Sequence, residues 1–117
     1  MLSASGTKRR AKMDKIIKAT ATYTGGGIYI YTGQLENGDY FMTNDDFLVY
    51  VEFYNADPYE DLEESGNEIW QHEHHLGEYS GQKALDFIKE VLRWIIQKRP
   101  EGNYSVGEIE DRLTRLM

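Results

Sequence analysis

The chain has 117 residues, a formal net charge of −7 and no cysteine. Its length is that of a single domain with one hydrophobic core, and the lack of cysteine excludes disulfides and thiolate metal sites. No apolar run reaches the roughly 20 residues of a membrane helix, and no apolar segment follows the basic N-terminus as in a secretory signal. We therefore expect a cytoplasmic protein without a membrane span.

Charge is distributed unevenly along the chain. Residues 1–18 hold six basic residues and one acid, and residues 83–117 hold seven basic and six acidic residues. Between them, residues 19–82 hold 13 acids and no lysine or arginine. Because residues 1–14 are basic and show no apolar period, we interpret them as a disordered basic arm. Residues 15–117 are predicted to form a single α+β domain.

Alternation of apolar and polar residues predicts four strands after the arm. Gly25-Gly26-Gly27 turns the chain between the first two strands, and Asn37-Gly38 has the sequence of a two-residue hairpin turn. Since the connections are short, the strands should form an antiparallel meander. The predicted strands are residues 15–23, Ile28–Leu35, Tyr40–Thr43 and Phe47–Tyr54.

The last third of the chain changes to a helical period. Residues 69–79 still alternate, which favours a short fifth strand. Apolar residues then follow helical spacing from Gly81 to about Lys98, where Pro100 ends the helix, with Ser80 as its candidate N-cap. Ser105 and Glu108 have the spacing of a capping box that begins a second helix. The predicted fold is α+β, with a four- to five-stranded antiparallel meander sheet followed by two C-terminal helices.

The densest group of possible metal ligands consists of His72, Glu73, His74 and His75. On a strand, His72 and His74 would share a face about 7 Å apart and could hold zinc with Glu68 or Glu78. The spacing is not that of a zinc protease helix, and no second motif accompanies it. A surface or half-buried histidine strand is therefore favoured, and no metal or cofactor is predicted.

Motifs for catalysis are missing from the chain. Gly25-Gly26-Gly27 lacks the lysine and hydroxyl residue of a phosphate-binding loop, and a strand follows it rather than a helix. No serine lies in a nucleophile elbow. The acidic residues 55–68 lack the alternating ligands of a calcium loop. We therefore predict that the protein is not an enzyme.

Tyrosines and carboxylates are concentrated on the predicted sheet. Tyr29 and Tyr31 share a strand face, as do Tyr50 and Tyr54, and exposed tyrosines are typical of protein interfaces. The alternative is that these rings pack under the helices with their hydroxyls at the rim. If the face is exposed, the residues predicted to bind a partner are Tyr29, Tyr31, Glu36, Asp39, Asp45, Asp46, Glu52, Asp57, Glu60, Asp61, Glu63 and Glu64.

An acidic face predicts a partner with a basic one. Proteins that hold nucleic acid present lysine and arginine grooves, which a carboxylate surface can occupy. The leading hypothesis is a non-catalytic inhibitor that acts by nucleic-acid mimicry or by blocking such a groove. Direct nucleic-acid binding is expected only through the basic arm. The second hypothesis is a cytoplasmic adaptor or small-ligand-binding domain, with homodimerisation through its sheet as an option.

Three segments carry a resemblance to a known class of proteins: Thr24–Tyr31, Gly38–Phe41 and Glu101–Ser105. With the small size and acidity of the chain, they resemble short orphan proteins encoded by phages and mobile elements of Gram-positive bacteria, among which are anti-CRISPR proteins. The resemblance implies a Cas-type nuclease as the partner and the host bacterial cytoplasm as the location. It assigns no residue a role, because no motif of a single anti-CRISPR family matches.

Overall fold

The computed structural model describes residues 15–46, 49–58 and 73–117. Within these residues, five strands form one antiparallel sheet in sequence order and two helices follow it, as the sequence predicted. Among the described residues, neither helix is long and apolar enough to cross a membrane. The elements are β1 (Ile16–Gly25), β2 (Ile28–Leu35), β3 (Tyr40–Asn44), β4 (Tyr50–Tyr54), β5 (His75–Ser80), α1 (Gly81–Lys98) and α2 (Val106–Leu116).

Several predictions fall on residues that lie outside the described part of the chain. These are the basic arm, the first two residues of the predicted fourth strand and most of the acidic segment before β5. Four of the predicted partner-binding residues belong to that acidic segment, and one of the histidines considered as a zinc ligand follows it. The residues concerned are Glu60, Asp61, Glu63, Glu64 and His72.

The two β-hairpin turns that contain glycine differ in how well the sequence predicted them. Gly25, Gly26 and Gly27 all have positive φ, so the tight turn between β1 and β2 is confirmed. Between β2 and β3, only Gly38 has positive φ, at 98°, whereas the predicted mirror-image turn requires it at Asn37 as well. That prediction was wrong, because the chain forms a longer loop with one left-handed residue.

The hydrophobic core lies between one face of the sheet and α1. Phe87 of α1 makes edge-to-face contacts with Phe41 and Phe53, at centroid distances of 5.0 and 5.5 Å. Burial of each large apolar side chain contributes about 1.5–3 kcal/mol, so this layer fixes which sheet face is covered. Fully enclosed members of the core are Ala21, Tyr31, Phe41, Val51, Ala84, Ile88, Val91, Leu92, Ile95 and Ile109.

The helix ends follow the predicted capping signals in part. Ser105 Oγ accepts a hydrogen bond from the Glu108 amide at 3.4 Å, which confirms the predicted N-cap of α2. Ser80 occupies the N-cap position of α1, but its side chain makes no capping hydrogen bond, so that role was wrongly predicted. Arg99 closes α1 in the left-handed conformation, with φ of 49°, and donates its amide to the Ile95 carbonyl.

The connection between α1 and α2 lies along the outer edge of β1. The Tyr23 amide donates to the Asn103 carbonyl at 2.9 Å, and Thr20 Oγ1 donates to the Glu101 carbonyl at 3.0 Å. A side chain at Gly102 would overlap the Thr20 hydroxyl, so only glycine lets the two backbones approach this closely. These contacts cover β1, which would otherwise be an open edge for pairing with another chain.

Candidate functional site

The tyrosines predicted to contact a partner from β2 lie inside the protein. Tyr29 is 5% exposed and Tyr31 is 0% exposed, and their rings stack at a centroid distance of 6.3 Å. The Arg112 guanidinium lies over the Tyr29 ring at 4.8 Å. The prediction that these two side chains form an exposed face was therefore wrong. They face the helix side of the sheet, as the alternative expected.

Asp45 is also buried, in an ion pair with a helix residue. Arg112 Nη1 donates to both Asp45 carboxylate oxygens, at 2.9 and 2.8 Å, and Arg112 Nη2 donates to the Gly27 carbonyl. The two side chains are only 9% and 3% exposed. Asp45 is therefore not available to a partner, so its prediction as a partner-binding residue was wrong. The base that neutralises it comes from α2, outside the stretch of residues 19–82 that lacks lysine and arginine.

Burial in this region shifts the pKa of two neighbouring groups. Burial, followed by the charge of Asp45, raises the pKa of Tyr31 far above its ordinary value. Burial by itself lowers the pKa of Arg112, but the hydrogen bonds and charge of Asp45 outweigh it and raise the pKa. The guanidinium therefore stays charged, which keeps the carboxylate beneath it compensated.

The other predicted acids in the described chain lie at different places. Glu36 and Asp39 are in the loop between β2 and β3, whereas Asp46 lies beyond the opposite end of β3. Asp57 follows β4 and lies toward the same end of the sheet as Glu36. A strand of five residues separates the two groups, so these acids do not form one continuous surface.

Glu52 is different, because strand pairing places a second carboxylate beside it. On the face of the sheet opposite α1, which we call the outer face, Glu52 of β4 pairs directly with Glu78 of β5. Tyr50, on the same face of β4, is 37% exposed. We refer to Tyr50, Glu52 and Glu78 as the acidic patch. Like charges directly opposite each other on neighbouring strands repel, so this pair is unfavourable within the isolated fold.

Tyr54 and His75 support the patch from one side. The Tyr54 hydroxyl donates to Glu52 Oε1 at 2.9 Å, and its ring meets the His75 ring edge-on at 5.5 Å. Burial, followed by the hydrogen bond and charge of Glu52, raises the pKa of Tyr54, so it remains a donor at neutral pH. Burial, followed by the charges of Glu52 and Glu78, also raises the pKa of Tyr50.

No described lysine or arginine forms an ion pair with either carboxylate of the patch. Elsewhere an exposed acid finds such a partner, as Glu90 does with Arg93 at 2.9 Å. Among the described residues, the imidazole Nε2 of His75 lies 4.0 Å from Glu78 Oε1. The patch therefore presents two adjacent carboxylates that an external cation or basic side chain would stabilise.

A second surface feature is a groove between the start of β1 and α1. Its volume is about 1120 Å³, and Ile17, which lines it, is 51% exposed. Lysine and arginine outnumber acids along its walls, in contrast to the acidic patch. Its lining includes the basic residues Lys15, Lys89, Arg93 and Lys98, the acids Asp86 and Glu90, and the apolar residues Ile17 and Trp94.

Two features of the site were not predicted from the sequence. The Arg112–Asp45 pair joins residues 67 positions apart, and a lone arginine on a helix carries no signal for such a contact. The pairing of Glu52 with Glu78 depends on the β4–β5 register. That register could not be predicted from the sequence, because 20 residues separate Tyr54 from His75. The alternation of Glu52 with Val51 and Phe53 separated the two faces of β4, but it did not indicate which face the helices cover or which residue lies opposite Glu52.

Comparison with known proteins gives no match: no family model, curated protein or solved structure is similar to this chain. Its function is therefore argued from the geometry above.

Proposed function

We propose that this protein is a non-catalytic inhibitor that binds a basic protein surface through the acidic patch on its outer face. The partner class is a nuclease with a lysine- and arginine-lined groove for nucleic acid, as in a Cas-type defence nuclease. The observation that carries the proposal is the direct pairing of Glu52 with Glu78, with no ion pair to a described lysine or arginine. A basic partner would relieve the repulsion that the fold itself leaves in place.

The arrangement suits a protein contact better than a nucleic-acid contact. Tyr50 supplies a partly exposed ring beside the carboxylates, and tyrosine adds contact area at a low entropic cost. The same carboxylates would repel phosphate groups, whose binding needs lysine and arginine. The antiparallel sheet holds both carboxylates in a fixed register, so the patch is organised before a partner arrives.

The mode of action follows from the sign of the charge. Side chains that normally bind phosphate would instead pair with Glu52 and Glu78, so the groove is blocked without any chemical step. Association should be faster at low salt, because charges on separate surfaces attract each other across a Debye length of about 8 Å at physiological ionic strength. The proposal needs neither Tyr29 nor Asp45, which the fold buries.

The test measures binding of the full chain to a purified Cas-type nuclease loaded with guide RNA. Binding should weaken by at least about tenfold between roughly 50 and 300 mM NaCl, since screening removes charge attraction. Glu78→Lys should weaken binding further at every salt concentration. Tyr50→Ala should weaken it without changing the salt dependence, because the lost contact is uncharged.

The matched control places the same charge change elsewhere. Glu110 lies on the exposed side of α2, so Glu110→Lys changes the net charge as Glu78→Lys does. We expect Glu110→Lys to retain binding and to retain inhibition of DNA cleavage. Equal losses in both variants would show that net charge matters and position does not, and the patch would be rejected as the contact. Circular dichroism of each variant confirms that it is folded.

A second candidate function is favoured by the groove between β1 and α1. Its lining combines apolar side chains with four basic and two acidic ones, which suits a small anionic ligand or an acidic peptide and corresponds to the adaptor or ligand-binding hypothesis. Trp94 lines this groove, so ligand binding should change tryptophan fluorescence. Replacement of Lys98 by glutamate should remove that change while leaving nuclease binding unaltered. A fluorescence change that persists in Lys98→Glu would show that the groove does not bind the ligand, and this second candidate would be rejected.

A further inference from the structure

Three side chains that can act as metal ligands come together where β4 and β5 meet on the outer face. One ligand atom from each of Glu52, His75 and Glu78 lies within 4.8 Å of the other two. Two carboxylates and an imidazole are a donor set that zinc accepts. Zinc–ligand bonds of about 2.0–2.2 Å in a tetrahedron place the donor atoms roughly 3.4 Å apart. Donor atoms that are up to 4.8 Å apart lie at most about 1.4 Å beyond that spacing, a difference that side-chain rotations would close.

An irregularity in strand pairing brings the histidine into this group. Glu52 faces Glu78 and Phe53 faces Gly77, but Tyr54 then faces His75, so Leu76 is an extra residue on β5. With regular pairing, Leu76 would stand opposite Tyr54, and His75 would point to the α1 side of the sheet. The bulge therefore turns His75 toward the carboxylates, as bulges do when they redirect a side chain.

Tyr54 holds two of the three ligands in place. Its hydroxyl donates to Glu52 Oε1 at 2.9 Å, and its ring contacts the imidazole of His75. The Tyr54 side chain is 1% exposed, so it provides a rigid support. Outer hydrogen bonds of this kind orient metal ligands. Glu78 is 55% exposed and His75 is 34% exposed, which leaves these two free to adjust around an ion.

From this geometry we propose that Glu52, His75 and Glu78 bind a zinc ion. The ion compensates two carboxylates that the fold places opposite each other without a described lysine or arginine. Three protein ligands leave a fourth position for water or for a group on a partner. The site differs from the one that the sequence suggested with His72 and His74. His74 instead directs Nδ1 to Asn55 Oδ1 at 2.8 Å.

The inference does not depend on the identity of any protein partner. Bound zinc would cancel the negative charge of the patch, so it would also change how the patch meets a basic surface. The effect of zinc on binding to a basic surface can be measured separately. The metal experiment uses the full chain and zinc alone, so its failure would leave the proposed inhibitor function to be tested by the nuclease assay.

The experiment is calorimetric titration of zinc chloride into the full chain after removal of metals with a chelator. We expect one zinc per chain. His75→Ala should weaken binding by more than the about 10- to 100-fold that loss of an outer hydrogen-bond partner typically causes. Glu78→Gln should act in the same direction. Tyr54→Phe should weaken binding by about 10- to 100-fold, because it removes only the support of Glu52.

The matched control is His74→Ala, which removes the adjacent imidazole and should leave zinc affinity unchanged. Cobalt(II) in place of zinc provides a second readout, since its visible absorption should be lost in His75→Ala and kept in His74→Ala. Circular dichroism verifies that each variant is folded. The proposal is overturned if the chain binds no zinc, if His75→Ala binds it as the parent does, or if His74→Ala loses it instead.

Discussion

Carboxylates in two regions of the same sheet lie in opposite environments, one buried in an ion pair and the other at the surface. At the end of β3, Asp45 is buried under α2, where Arg112 donates hydrogen bonds to both of its carboxylate oxygens. On the outer face, Glu52 and Glu78 stand side by side, and no described lysine or arginine pairs with either. Both regions belong to the stretch that lacks basic residues in the sequence, so the difference comes entirely from the tertiary structure.

The comparison teaches that an acidic stretch is not a uniform surface. A carboxylate that a distant helix can reach becomes part of the structure and is lost to partners. One that faces away from both helices keeps its charge available for binding. The buried pair should therefore control stability, and the outer pair should control binding while contributing little to stability. The predictions below separate these two roles.

The largest effect is expected from breaking the buried pair. Arg112→Met leaves Asp45 buried without its partner, which should lower the free energy of unfolding by about 3–5 kcal/mol. Urea denaturation measures this. Arg93→Met is the control, because Arg93 pairs with Glu90 at the surface and its loss should cost less than about 1 kcal/mol. Similar values for the two variants would mean that Asp45 and Arg112 do not form a buried pair in solution.

Alkaline pH should give the second largest effect. Burial raises the pKa of Tyr31 and Tyr54 in the folded chain above the unfolded value, so the folded state holds their protons more tightly. This stability is complete below the unfolded pKa of about 10 and falls as pH rises above it, by about 1.4 kcal/mol per pH unit for each tyrosine. Denaturation at several alkaline pH values, followed by tyrosinate absorbance, measures the slope.

Replacement of Tyr54 by phenylalanine provides the control for that slope. Tyr54→Phe should reduce the alkaline loss of stability, since one of the tyrosines whose pKa the fold raises is gone. An unchanged slope would show that Tyr54 ionises freely in the folded protein, which would contradict its burial.

The hydrogen bond that links Tyr54 to Glu52 predicts a smaller effect at neutral pH. Tyr54→Phe should lower the free energy of unfolding by about 1 kcal/mol, because Glu52 loses its donor. Tyr50→Phe is the matched control, since the Tyr50 hydroxyl makes no hydrogen bond within the described residues, and its effect should stay within about 0.5 kcal/mol. Thermal and urea denaturation of both variants test the difference. A larger loss of stability in Tyr50→Phe than in Tyr54→Phe would contradict the assignment of a stabilising hydrogen bond to Tyr54.

The smallest effect has the opposite sign. Glu78→Lys turns a repulsive cross-strand pair into an attractive one, so it should raise the free energy of unfolding by about 0.2–1 kcal/mol. The same variant should weaken nuclease binding, which would separate the two roles in one protein. A clear destabilisation would show that the two carboxylates do not repel each other in the folded chain.

The sequence predicted the secondary structure well, because its signals are local. The helical period defined α1 from Gly81 to Lys98, and alternation with turn residues defined β2 from Ile28 to Leu35. The errors arose where contacts with another segment of the chain, rather than the local sequence, decide the structure. The loop at Asn37 is longer than its dipeptide suggests, and Tyr29 and Tyr31 were placed on an exposed face. Two faces of a strand look alike in sequence when both carry tyrosine or threonine, so alternation alone does not say which one the helix covers.

By itself, the sequence determined the order of strands and helices and the acidity of the sheet region, because these depend on neighbouring residues and on composition. The tertiary structure decided which carboxylates remain available. Arg112 reaches Asp45 only after α2 packs above the β1–β2 turn, and Glu52 meets Glu78 only through the β4–β5 register. Electrostatic interactions depend on distance and burial, and both are properties of the folded chain.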